Sequence, residues 1–132
     1  MPATSARRSA ETRGRRAETL AAWWLRLKGY SILDRRVATP VGEIDLVAAR
    51  GGTLVFVEVK ARAARLLVGM YSGLDAALLA LHPQALERVG RAAQLLTGQY
   101  ALHARPANVR IDAVLVVPGR WPRHIEAVWR ET

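Results

Sequence analysis

The alternation of apolar and polar positions divides the chain into a short series of elements. Between about Ala10 and Lys28, Ala17, Leu20, Ala21, Trp24 and Leu25 recur at i, i+3, i+4, i+7 and i+8, which predicts an amphipathic helix ended by Gly29. Tyr30 to Ala38 alternates weakly around Ile32 and Val37 and predicts a first strand, leading through Thr39-Pro40 into two β-rich runs that flank Gly51-Gly52. Paired glycines tolerate the positive φ angles of a tight turn, so these runs predict an antiparallel hairpin. After Arg62 the pattern is mixed: Arg65 to Gly73 carries two glycines, and Leu74 to Leu81 predicts a short helix. A second long helix opens at Pro83 and runs to about Leu96 on the stripe Leu86, Val89, Ala93 and Leu96. Gly98 to Asn108 reads as a connection, Val109 to Val117 as a strand rich in Val, Ile and Leu, Pro118-Gly119 as a turn, and Ile125, Ala127 and Trp129 as an edge strand. Residues 1–9 lack periodicity and are expected to form a basic arm ahead of a single domain over residues 10–132.

The hairpin implies its own register. With Gly51 and Gly52 as loop residues, Arg50 faces Thr53, and counting back sets Asp45 opposite Glu58 and Glu43 opposite Lys60, all on one face. Ile44, Leu46 and Ala48 with Val55, Val57 and Val59 then form the apolar face that packs. At ~4 Å and an effective dielectric near 20, two carboxylates repel by about 4 kcal/mol, so a compensating charge is expected. Lys60 supplies one, and a divalent cation between Asp45 and Glu58 would supply the rest. The ordinary alternative is a half-solvated sheet in which Glu43 and Lys60 form a cross-strand ion pair. Against it stands Leu54-Val55-Phe56-Val57, apolar on both sides, which places Glu58 and Lys60 at the end of a buried strand.

Charge narrows the partner. The chain has 132 residues with 20 Lys and Arg against 11 Asp and Glu, a net charge of +9, which favours polyanions and points to nucleic acid. Cysteine is absent, excluding disulfides, thiol chemistry and Cys-based zinc sites, in keeping with a reducing cytoplasm. No apolar run approaches the ~20 residues of a membrane span. The Arg-rich start carries Glu11 and Glu18, atypical of a transit peptide. His82, His103 and His124 lack metal-ligand spacing, and Asp112 is expected to pair with an arginine such as Arg110.

Asp45 followed by Glu58-Val59-Lys60 resembles the Asp…Glu-x-Lys signature of the restriction-endonuclease-like PD-(D/E)xK nucleases. Gly42-Glu43-Ile44-Asp45-Leu46 with Val57-Glu58-Val59-Lys60-Ala61-Arg62 is similar, more narrowly, to the YraN-like family of small bacterial proteins, relatives of archaeal Holliday-junction resolvases. Glu18-Thr19-Leu20-Ala21, Gly29-Tyr30, Arg91-Ala92-Ala93 and Arg110-Ile111-Asp112 extend the likeness over most of the chain. The resemblance implies an α/β, restriction-endonuclease-like core with a mixed central sheet flanked by helices, in the order α-β-β-β-α-β-β. It also implies a Mg²⁺-dependent nuclease, Mn²⁺ being an alternative ion, that acts on structured or branched DNA. Asp45, Glu58, Lys60 and Glu18 would be catalytic, and Asp45, Glu58, the Val59 carbonyl and Glu18 would hold the metal. Glu43 would be a further ligand or Lys60's partner, and Arg62 would hold the nucleic-acid backbone. Arg35 and Arg36, projecting beside the site from the first strand, would either contact phosphate or, more commonly for such positions, form a solvated strand end. By spacing alone, Glu18 is instead a surface residue paired with Arg15. Resolvases of this kind act as symmetric dimers, which implies a homodimer. Two positions depart from the family: Ala17 stands where a glycine precedes the helix glutamate, and Ala85 where a lysine is usual. The alternatives are a nucleic-acid-binding protein of the same fold with little turnover, and a basic module attached to ribosomes or RNA.

Overall fold

Seven elements form: α1 (Ser5–Leu27), β1 (Ser31–Thr39), β2 (Gly42–Arg50), β3 (Thr53–Ala61), α2 (Pro83–Ala104), β4 (Asn108–Val116) and β5 (Arg123–Trp129). The structure, a computed structural model, describes residues 5–62, 83–104 and 108–129. The loop and short helix expected between Arg65 and Leu81 lie outside the described residues. The strands form one sheet in the order β1-β2-β3-β4-β5, with β3 and β4 parallel and the other neighbours antiparallel. This is the mixed sheet and the α-β-β-β-α-β-β order expected. A parallel pair needs a crossover, and the chain between β3 and β4 contains α2.

The Gly-Gly turn sets the hairpin register as counted: Arg50 pairs with Thr53, and the ladder continues to Leu46 and Val57. One helix covers each side of the sheet. Ala17, Ala21, Ala22 and Leu25 of α1 pack on Leu46, Ala48, Val55, Val57 and Val114. Val89, Ala92, Ala93, Leu96 and Tyr100 of α2 pack on Ile44, Val47, Leu54, Phe56 and Ile111. The run Leu54 to Val57 is therefore buried on both faces.

Four expectations need correction. Helix α1 starts at Ser5, so residues 5–9 of the expected arm are helical. It is also rotated about its axis: Leu20 is 45% exposed, whereas Glu18 falls on the buried side at 9%. The small side chains of Ala17, Ala21 and Ala22 let the helix lie close to the sheet, and Leu20 gains less there. Helix α2 continues through residues 98–104, read as connection, because Tyr100 keeps the apolar stripe going. Its ring meets Phe56 edge-on at 6.3 Å and its hydroxyl donates to Asp34 Oδ2 at 2.9 Å. Burial, with that carboxylate, pushes the Tyr100 hydroxyl up to about 12. Finally, Ile44 packs on the α2 side rather than with Leu46 and Ala48.

Asp112 of β4 is fully buried and organises the β4–β5 edge. Arg110 grips it with Nε at 2.7 Å and Nη2 at 2.8 Å, His124 Nε2 lies 2.6 Å from Oδ2, and the Ala127 N–H donates to Oδ1 at 3.0 Å. Pairing shifts register between Ile111 and Ala113, and Ala127 takes a φ of 54°, so the carboxylate caps a bulge. The expected Arg110 partnership is present, and His124 takes part in the same cluster.

Gly90 of α2 lies against Trp129, where an added Cβ would fall 2.6 Å from the indole. Gly90→Ala is expected to destabilise the fold by about 1–3 kcal/mol through overpacking, although alanine favours helix. A urea melt checks this, and an unchanged midpoint would show that Trp129 moves aside freely.

Candidate active site

The β2–β3 ladder stops at Leu46 and Val57, and the strands fork beyond it. β2 stays with β1, pairing Ile44 with Val37 and Glu43 with Ala38, while β3 stays with β4, pairing Glu58 with Ala113 and Lys60 with Leu115. The fork frees backbone groups that need partners. Asp45 supplies one, its Oδ2 accepting the Val59 N–H at 2.7 Å.

The fork coincides with a kink in β1 and β2. Leu46 and Ile44 pack on opposite sides of the sheet although two residues apart, so strict alternation breaks around Asp45. Across the β1–β2 pair, Arg36 has a left-handed φ of 51°, uncommon for a non-glycine residue. With Ile44 on the α2 side, Glu43 and Asp45 turn toward α1. There a carboxylate oxygen of Glu18, Glu43 and Asp45 each lies within 4.8 Å of the others. Glu18 pairs with Arg36 Nε at 2.6 Å rather than with Arg15.

On the β3 arm, Lys60 Nζ meets Glu58 Oε1 at 2.9 Å. Lys60's partner is therefore Glu58, and Glu43 joins the three-acid group instead. Val57 and Val59 pack toward α1, so Glu58 and Lys60, which alternate with them, do not share the face of Glu43 and Asp45. The expected four-group face is replaced by a cleft with Asp45 in the fork between the two sets. Burial, then the negative charge of Glu58, with a smaller push from Glu18, raises the Asp45 carboxyl to about 7; the Val59 N–H and Lys60 oppose this.

The remaining residues expected in the site are placed as follows. Arg35 Nη2 donates to Thr19 Oγ1 at 3.0 Å, on the α1 side beside Arg36. Arg62 Nη1 donates to the Ala61 carbonyl at 3.0 Å, where β3 ends next to β4. Val59 enters through its N–H to Asp45. Arg88, which with Arg91 could stand in for the lysine absent at Ala85, lies against Gly42 at the start of β2: its Cδ and Nε lie 2.9 and 3.0 Å from where a Cβ on Gly42 would sit. No periodicity pointed to that contact, because it joins elements far apart in the chain.

Residues 17–116, which include the acids and Lys60, match the uncharacterised protein family UPF0102. The chain belongs to this family. A UPF0102 protein of Sphingopyxis alaskensis is 48% identical over 94% of this chain and 97% of its own length. A UPF0102 protein of Maricaulis maris is 50% identical over 96% and 91%, and one of Parvibaculum lavamentivorans is 50% identical over 89% and 80%. The family match runs from Ala17, within α1, to the end of β4 and so contains every group of the forked cleft. Among the described residues, no helix is long and apolar enough to cross a membrane.

Proposed function

We propose that this UPF0102 protein is a divalent-metal-dependent nuclease of the PD-(D/E)xK kind that hydrolyses phosphodiester bonds in structured or branched DNA. The observation that carries this reading is the fork, where Glu18, Glu43 and Asp45 converge on one side while Glu58 and Lys60, paired on the other arm, act electrostatically on Asp45. The donor set fits Mg²⁺ or Mn²⁺, since every side-chain donor is a carboxylate oxygen. Asp45, Glu18 and Glu43 would hold the ion, with Glu58 within electrostatic reach. When bound, it supplies Lewis-acid stabilisation of the phosphate and a more acidic water.

The protein's own groups do the rest. Lys60, held by Glu58, presents an ammonium that offsets charge developing on a phosphate oxygen. Arg36 fixes the Glu18 carboxylate. Arg35 and Arg62 add positive charge for the backbone, a contact that positions without reading sequence. The net charge of +9 and the absence of cysteine suit a cytoplasmic nucleic-acid enzyme.

A second reading, nucleic-acid binding with little turnover, is favoured by one observation: Glu58 is closed onto Lys60 instead of gathered with the three acids. The deciding experiment incubates purified protein with linear, flapped and four-way-junction DNA in Mg²⁺ or Mn²⁺, beside Asp45→Ala and Lys60→Ala. Cleavage that disappears in both variants is the expected result. Activity surviving both would remove the mechanism, and binding without cleavage would establish the second reading.

A further inference from the structure

Three tryptophans meet on the outer surface next to the fork. Trp23 and Trp24 of α1 and Trp121 of the β4–β5 turn have ring centroids 5.7–6.4 Å apart, and the Trp23 and Trp121 planes are within 17° of parallel. Two of them are exposed, Trp121 at 72% and Trp23 at 44%, and Trp24 is half-buried. Leaving that much indole in water is unfavourable, since each fully buried aromatic would gain roughly 1.5–3 kcal/mol. A partner surface is the physical explanation.

Charge identifies the partner. The described residues 14–30 and 117–125 carry Arg15, Arg16, Arg26, Lys28, Arg120 and Arg123, and their only acid is Glu18, paired with Arg36. A second copy docked through this patch would set one basic rim against the same rim, because a two-fold interface is self-complementary. A polyanion with flat rings meets both features: bases stack on the indoles while phosphates meet the arginines. Position agrees. β4 runs parallel to β3, with Lys60 beside Leu115 and Arg62 N–H on the Val116 carbonyl, so the β4–β5 turn emerges at the fork end of the sheet. Along α1, Trp23 follows Glu18 by five residues, ~7.5 Å at 1.5 Å per residue, about two base steps.

We infer that Trp23, Trp24 and Trp121 form a stacking platform for unpaired bases, holding a single-stranded segment beside the phosphodiester that enters the cleft. This rests on the nucleic-acid reading above and names the feature selected: a strand that has left its duplex, as at a flap or junction. The platform acts by stacking and leaves the chemistry to the fork.

The test titrates the full-length protein in EDTA, where metal-dependent cleavage is silent, with single-stranded oligothymidylate and with blunt duplex. Binding is read by fluorescence anisotropy of labelled DNA and by quenching of tryptophan emission. Oligothymidylate is expected to quench the emission, and Trp121→Ala to weaken its binding about tenfold or more, with duplex affinity nearly unchanged and Trp121→Phe restoring most of the loss. Trp121 is exposed enough that its removal should spare the fold, which circular dichroism verifies. Unchanged oligothymidylate affinity in Trp121→Ala, or equal loss on duplex, overturns the inference. So does a protein dimer that Trp121→Ala dissociates in sedimentation velocity, which would assign the patch to self-association. A wild-type protein that fails to cleave in Mg²⁺ yet shows the tryptophan-dependent preference refutes the nuclease reading and retains the platform.

Discussion

Asp112→Ala is expected to destabilise the fold by about 3–5 kcal/mol, the cost of removing one partner from a buried charged cluster. Against a total of ~5–15 kcal/mol for a domain, the variant should be largely unfolded or melt far below the wild type. The substitution leaves the Arg110 guanidinium, the His124 ring nitrogen and the Ala127 N–H without the acceptor they now share. It also removes the cap of the β4–β5 bulge, so β5 and its Trp129 contact with α2 should loosen first. A pH signature accompanies it. Burial alone would raise the Asp112 carboxyl, but hydrogen bonds from His124, Arg110 and the Ala127 N–H outweigh it and hold the group below its ordinary 3.8. A depressed acid contributes stability that is fully present above the unfolded value and lost as pH falls through the folded one. The gap between wild type and variant should thus be widest at neutral pH and narrow once pH drops below 3.8. Urea unfolding across that range checks it; a gap below about 1 kcal/mol at pH 7 would mean that the cluster is replaceable by water.

Asp45→Asn should act in the opposite direction on stability while removing function. The Asp45 carboxyl is raised from 3.8 to about 7, so between those values the folded state binds a proton that the unfolded state has released. Stability therefore falls as pH rises through this window, by up to ~4 kcal/mol at 1.36 kcal/mol per unit. Asparagine is neutral and its carbonyl can still accept the Val59 N–H, so the metal-free variant should melt above the wild type at pH 8 and converge with it near pH 4. Mg²⁺ or Mn²⁺ should raise the wild-type melting temperature, since an ion that binds the native state alone at a hundred times its Kd adds ~2.7 kcal/mol. The variant should show little of that rise and lose cleavage by at least about a hundredfold, the upper end for a residue that only supports a metal ligand. Differential scanning fluorimetry over pH, with and without metal, reads both arms. A variant less stable than wild type at pH 8, or one retaining the full metal response, would show that Asp45 is not the strained centre of the acid group.

Much of this was legible in the residues. The two glycines at 51 and 52 leave one short loop, and the flanking β-rich runs allow one register that keeps Val55 and Val57 buried, so the pairing could be counted. The run Leu54 to Val57 announced a strand covered on both faces, and Pro83 announced the start of α2. These are local matters: backbone dihedrals and side-chain periods of 2 and 3.6 act over a few neighbouring residues.

What the residues could not reveal is how those elements meet. Alternation placed Ile44 with Leu46 and Glu43 with Lys60, but the kink at Arg36 and Asp45 reverses a side only because β2 must follow β1 while β3 follows β4. The rotation of α1 that buries Glu18 and exposes Leu20 and Trp23 is decided by how closely Ala17, Ala21 and Ala22 approach the sheet. Trp121, almost a hundred residues from Trp23, joins the same patch through the turn that follows β4. The local pattern determined the elements and their order, whereas the acid cleft, the Asp112 cluster and the indole patch were decided by packing between distant segments, whose energies depend on which faces are brought together.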